Sequence, residues 1–192
     1  YIGLIAYDGT NEANGTDYKY GFGFPETLEK IGFEQGDQIL LLDKDTIAYA
    51  PSFNHKLIFR DIKTVTVLRN GQPVEITIPE DIGNRLFEAG VSTSLEARFP
   101  FKIDSVQAGT IAAEIGLKKD YKIISVANYP VEFNTDYTYA INHKVTDSIP
   151  FELVYQDSNG TEFIKTVDFN GERKTLGIYK YSTDKNYAKV ER

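Results

Sequence analysis

Ile31-Gly32-Phe33-Glu34-Gln35-Gly36-Asp37-Gln38-Ile39-Leu40 has an echo later in the chain, Ile115-Gly116-Leu117-Lys118-Lys119-Asp120-Tyr121-Lys122-Ile123-Ile124. Both hold an Ile-Gly pair, an apolar residue after it, and an Ile eight positions beyond the first. A repeat decides how many times one fold is built, so it outranks local periodicity. The offset is about 84 residues, and it continues downstream, where Val65-Thr66-Val67-Leu68 before Asn70-Gly71 answers Phe151-Glu152-Leu153-Val154-Tyr155 before Asn159-Gly160. Two copies of one small domain are expected.

Working outward, Thr27 to Lys30 and Thr110 to Glu114 are short helix-forming stretches that end at Gly32 and Gly116, where a helix C-terminus favours positive φ. Gln38 to Leu42 and Lys122 to Val126 read as strands, each followed by a polar turn and one more apolar residue, Ile47 or Val131. A second helix is expected from Thr135 to His143, with Tyr137, Ala140 and Ile141 at helical spacing, and a less regular one from Phe53 to Phe59. Each copy closes with a hairpin, Thr64 to Leu68 into Val74 to Ile78, and Phe151 to Tyr155 into Phe163 to Val167, because Asn-Gly between alternating arms is a strong turn signal. Ile82, Leu86 and Phe87 place one short amphipathic helix between the copies. The expected fold class is α+β, mainly β, with a first domain over 1–81, a connector over 82–92, a second domain over 93–182 and an exit tail over 183–192.

Composition narrows the function. The 192 residues include 13 Tyr and 12 Phe, enough for large aromatic cores, and no Cys, which removes disulfide frameworks, zinc fingers and thiol nucleophiles together. A net charge of -7 disfavours phosphate backbones and anionic lipid, so no nucleic-acid partner is expected. Unbroken apolar runs stop near Ile39-Leu40-Leu41-Leu42, far short of the ~20 residues of a membrane-crossing helix, so no direct bilayer insertion is expected. The chain opens on Tyr1, holds no Met and lacks a basic-then-apolar leader, and so reads as a segment of a longer protein.

The motif helix, Gly, apolar, x, x, Gly-Asp, x, Ile, apolar, as it stands from Ile31 to Leu40, resembles the core signature of PDZ domains. The second copy departs from it with Asp120-Tyr121 in place of Gly-Asp, a change expected to loosen that turn. Two such domains in tandem, with Ala97 to Val106 leading the second and Leu176-Gly177-Ile178 closing it, are similar to the periplasmic insert of bacterial site-2 proteases, the regulator-of-sigma-E type of intramembrane zinc metalloprotease. The resemblance covers nearly all of the chain. It implies two PDZ-like domains, small partly open barrels of circularly permuted bacterial type with about two helices each. It also implies a position on the periplasmic face of the inner membrane, above a zinc active site elsewhere in the parent, where the tandem restricts access to trimmed transmembrane substrates. The implied partners are those substrates or their extended segments and the remainder of the parent protease.

No catalytic motif of that family is present. H-E-x-x-H needs two His one helical turn apart, and the chain has only His55 and His143. His143 beside Lys144 reads as a cation complementing a helix C-terminus, and His55 is read likewise. The pairs Asp43 with Asp45 and Glu80 with Asp81 fall in expected turns and read as solvated surface, and there is no G-x-S-x-G elbow. The segment is expected to be non-catalytic, with no cofactor or metal of its own. Gly21-Phe22-Gly23-Phe24 resembles the loop with which PDZ domains hold a terminal carboxylate, but the repeat offset puts it in the strand before the first helix, and it is read as that strand. The groove is expected in the second copy, between Ser94, Leu95, Glu96, Ala97 and Arg98 and the helix face of Tyr137 and Ile141, while Leu95 and Ile141 equally fit plain core positions. The alternative function is a C-terminal-peptide-binding module of another envelope protease or of a secretion protein.

Overall fold

A computed structural model describes residues 15–16, 18–44, 46–47, 50–59, 62–91, 94–170 and 175–181. The chain divides between Ala97 and Arg98 into two compact units. Both are mainly β, with short helices and open antiparallel sheets.

The first unit runs β1 (Phe22–Gly23), α1 (Glu26–Glu29), β2 (Gln38–Leu42), β3 (Thr46–Ile47), α2 (Ala50–Phe59), β4 (Thr64–Arg69), β5 (Gln72–Thr77), α3 (Ile82–Glu88) and β6 (Glu96–Ala97). Its main sheet has the order β3-β2-β4-β5, and β6 pairs with β1 in a separate ribbon. Helix α1 stops because the Gly32 N–H bonds the Glu29 carbonyl and the Phe33 N–H reaches back to Leu28, with Gly32 at φ +110°. That closure sends Leu28 and Phe33 together into a core with Phe22, Ile39, Phe53, Leu57 and Val67. Strand β4 alternates, burying Val65 and Val67, and it turns into β5 at Asn70 and Gly71, both at positive φ as a two-residue hairpin loop requires.

The second unit runs β7 (Ile103–Val106), α4 (Ile111–Glu114), β8 (Lys122–Val126), β9 (Tyr129–Pro130), α5 (Asn134–His143), β10 (Phe151–Gln156), β11 (Glu162–Val167) and β12 (Ile178–Lys180). Its main sheet is ordered β9-β8-β10-β11, and β12 pairs with β7 in its own ribbon. Helix α4 closes as α1 does: Gly116 is at φ +86° and the Leu117 N–H bonds the Ala112 carbonyl at 2.9 Å. Even the irregularities repeat. Leu40 is skipped where β2 pairs with β4, and Ile124 is skipped where β8 pairs with β10. A bulge leaves one residue of its strand unopposed, and here both sheets carry the irregularity at the same place.

Two expectations change, and the expected packing of the connector helix on a domain is seen in detail. Asp120 does not loosen its turn: it takes φ +69° where Gly36 takes +96°, because a short polar residue tolerates the left-handed region, and its carboxylate is held by Lys102. The Asn159-Gly160 hairpin is a longer loop in which the Asp157 carboxylate accepts from the N–H groups of Asn159 and Thr161 and Gly160 supplies φ +87°. The segment read as a connector contributes to the first core, since Ile82 and Leu86 are buried there while Phe87 stays 86% exposed. Gly83 permits that docking: a Cβ there would stand 2.7 Å from the Ile58 carbonyl oxygen of α2.

Candidate functional site

The site is built from β12 and α5 of the second unit. Leu176, 2% exposed, plugs the core, and its carbonyl accepts from the Ala112 N–H at 2.9 Å. Gly177 follows at φ +81°, pressed so closely on the Thr110 side chain that a Cβ would collide with it, and its carbonyl accepts from the Gln107 N–H. The chain then enters β12, with Ile178 opposite Val106, Tyr179 opposite Ser105 and Lys180 opposite Ile103. Tyr181 fastens the far end: its N–H bonds the Lys102 carbonyl and its hydroxyl donates to Asp120 at 3.0 Å. Lys102 also pairs with Asp120 at 2.8 Å, and the two contacts hold the Asp120 carboxyl below the usual carboxylate range. Thus β12 is pinned at both ends and along one edge.

Helix α5 is joined to β12 through side chains. The Lys180 ammonium donates to Thr138 Oγ1 at 2.9 Å, and Thr138 in turn donates to the Asn134 carbonyl at 3.0 Å. The start of α5 is fixed by Asp136, whose carboxylate accepts from the backbone N–H groups of Phe133 and Glu132. Asn134, fully buried, accepts from the Phe99 N–H through Oδ1 and donates its own N–H to the Phe99 carbonyl. Tyr137 lies against Phe101 with ring centroids 4.7 Å apart, and burial pushes its hydroxyl pKa up. Ala140 and Ile141 join the same core.

The seven residues expected to form the groove are divided. Ser94, Leu95, Glu96 and Ala97 belong to the first unit, where Glu96 and Ala97 pair with β1 and Leu95 packs on the first core. Arg98, Tyr137 and Ile141 belong to the second. Arg98 stacks 3.9 Å from the Phe133 ring centroid and stands 3.9 Å from Asp136, so it braces the α5 start. The strand tied to α5 by a side-chain hydrogen bond is β12, through Lys180 and Thr138, neither of which is among the seven expected residues. The signal lies in Leu176-Gly177-Ile178, an apolar-Gly-apolar run that leads into the first residue of a short strand.

Other candidate groups have local roles. Phe22–Gly23 is strand β1. Asp43 accepts from the N–H groups of Lys63 and Thr64, and Asp45 lies outside the described residues. Asp81 pairs with Arg85. His143 stacks on Tyr139 at 4.7 Å, and His55 stands 4.4 Å from the Phe59 ring. Among the described residues no group of three His, Asp or Glu is placed to hold a metal ion, and no helix is long and apolar enough to cross a membrane. Compared with known proteins, the chain matches no family model and no curated relative.

Proposed function

We propose that the chain is a tandem of circularly permuted PDZ-like domains that recognises extended polypeptide segments and serves as the non-catalytic, periplasmic gate of an intramembrane zinc metalloprotease. The observation that carries this reading is β12. It is a short strand that begins at Ile178, just after Leu176-Gly177, is bonded along one edge to β7 and is tied to α5 through Lys180 and Thr138, and a strand edge accepts an added strand through backbone hydrogen bonds. Apart from α3, which has no counterpart among the described residues of the second unit, the two units repeat one element order, and this supports a tandem. Zinc belongs to the parent in this reading, because His55 and His143 stand in separate units and neither begins H-E-x-x-H. The chain supplies selection, not bond cleavage.

A filter over an active site needs only weak affinity. In the full-length parent, removal of residues 1–182 is expected to admit substrates that still carry their bulky outer domains; continued rejection of them contradicts the gate. The second reading, a module for C-terminal tails in another envelope protein, is favoured by Gly177, whose φ of +81° suits a carboxylate-holding loop. Binding that disappears when a peptide's terminal carboxylate is amidated selects this second reading.

A further inference from the structure

The two main sheets end on unlike edges. Strand β11 stands last in the order β9-β8-β10-β11, as β5 does in β3-β2-β4-β5, and among the described residues no strand pairs with the far side of either. The backbone phase of each edge follows from its hairpin. The Asp157 N–H bonds the Thr161 carbonyl at 2.9 Å, and bonded pairs alternate from there, so Glu162, Ile164 and Thr166 turn their N–H and C=O groups to the open side. In β5 the closing pair of Arg69 with Gln72 puts Pro73, Glu75 and Thr77 in those places. Pro73 offers no donor and Glu75 sets a charge at the middle, two devices that keep a strand edge single. The middle member of the β11 trio is instead Ile164, 64% exposed.

Strand β11 is also complementary to itself. A two-fold axis normal to the sheet keeps each face on its own side, so even residues meet even ones and odd meet odd. With Ile164 opposite Ile164 of a second copy, Glu162 meets Thr166 and Phe163 meets Lys165. Phe163, 37% exposed, stacks on Tyr155 at 5.2 Å on the β10 side, which leaves its other ring face toward the open edge, where the opposing Lys165 ammonium lies. Two such cation–π contacts, the isoleucine pair and about six backbone hydrogen bonds form in that register. Sliding by two residues one way sets Lys165 against Lys165 and Glu162 against Asp168, like charges directly opposed. Sliding the other way sets Glu162 against Ile164 and breaks both cation–π contacts.

We propose that β11 is a self-association edge, to which a second copy of this chain adds its own β11 antiparallel, in the register centred on Ile164. The first unit, blocked by Pro73 and Glu75, takes no part. The contact uses a different sheet from β12 and does not depend on the function proposed above.

The test uses the 192-residue chain, which holds no Cys. Sedimentation equilibrium up to about 1 mM, as suits an interface at the small end of the size range, is expected to show a concentration-dependent dimer. Ile164→Glu opposes two charges, and Ile164→Pro removes a donor that faces away from β10; each is expected to weaken association at least about tenfold. Lys165→Gln, which loses both cation–π contacts, is expected to weaken it about fivefold. Oxidation of an Ile164→Cys chain is expected to give a covalent dimer, since the opposed Cα atoms are about 5.5 Å apart, whereas Thr166→Cys, about 14 Å from its copy, gives little. Dispersed amide spectra check that each variant is folded. A chain monomeric throughout that range, or a dimer indifferent to whichever Ile164 variants fold, overturns the proposal. Equal cross-linking at the two cysteines overturns the register and with it the self-complementary edge. A monomer whose Ile164 amide is protected from hydrogen exchange assigns the edge to another segment of this chain, which overturns it too.

Discussion

Gly32 and Gly116 end the same short helix in the two units, with the same backbone closure, yet the joint beside each is held by different chemistry. At Gly32 the carbonyl accepts from Arg69 Nη2 at 2.7 Å, and Arg69 is gripped in turn by Asp37, 1% exposed, and by Glu34. At Gly116 the neighbouring Ile115 carbonyl accepts from the Tyr155 hydroxyl at 2.9 Å, and Tyr155 sits in a ladder of rings with Tyr121 and Phe163. Tyr121 occupies the place of Asp37. One joint is ionic and the other aromatic, which teaches that the fold demands a donor to the helix end and is indifferent to its kind.

The difference predicts unequal sensitivity. Asp37→Ala removes a buried carboxylate that accepts from Arg69 and from the Glu34 N–H, and it leaves the guanidinium short of its partner. A loss of about 3 kcal/mol is expected in chemical denaturation; a loss comparable to that of an exposed surface charge would show that the ionic joint is not structural. Gly177→Ala comes next, at about 2 kcal/mol, because it combines a left-handed residue with a collision on Thr110. Gly116→Ala, by contrast, meets only the Tyr155 hydroxyl at 3.8 Å and is expected to cost about 1 kcal/mol. Equal effects at the two glycines would mean that β12 is not pressed against Thr110 in solution.

Tyr155→Phe, the aromatic counterpart of the Asp37 change, deletes one hydrogen bond and keeps the ring stack, so about 1 kcal/mol is expected. A cost equal to that of Asp37→Ala would erase the contrast between the joints. The smallest effect concerns acid. Hydrogen bonds from Lys102 and Tyr181 lower the Asp120 pKa, so its contribution is present above the ordinary carboxylate range and is lost as pH falls below that range through the lowered folded-state value. Asp120→Asn is therefore expected to flatten the acid limb of the stability profile slightly. An unchanged limb would assign no linkage to that pair.

What the sequence made legible is what local chemistry encodes. Glycines at helix ends, Asn-Gly between alternating strands and the apolar spacing of Thr135 to His143 carry their own geometry, and α1, α4, α5 and both hairpins stand where those signals lie. The phase of the repeat was harder to read. Ser94 to Ala97 lead into Arg98 without a turn signal, and β6 is only two residues long, too short for alternation to show which core owns it. Its ownership comes from pairing with Phe22 and Gly23 at the far end of its own unit. Likewise the meeting of Lys180 with Thr138 spans 42 residues, beyond any periodicity, and it is what brings β12 into the candidate site. Asp120 was misjudged because side-chain partners remote in sequence, Lys102 and Tyr181, stabilise a left-handed residue that looked like a defect.

The claim beneath these comparisons is that one element order, interrupted only by α3 in the first unit, is built twice, each copy closed by a strand that comes after its own hairpin. Interstrand nuclear Overhauser contacts on the isotopically labelled chain address it directly. Contacts of Glu96 with Gly23 and of Tyr179 with Ser105 are the expected result. Contacts tying Glu96 to the strands after Arg98, with Tyr179 unpaired, would contradict it.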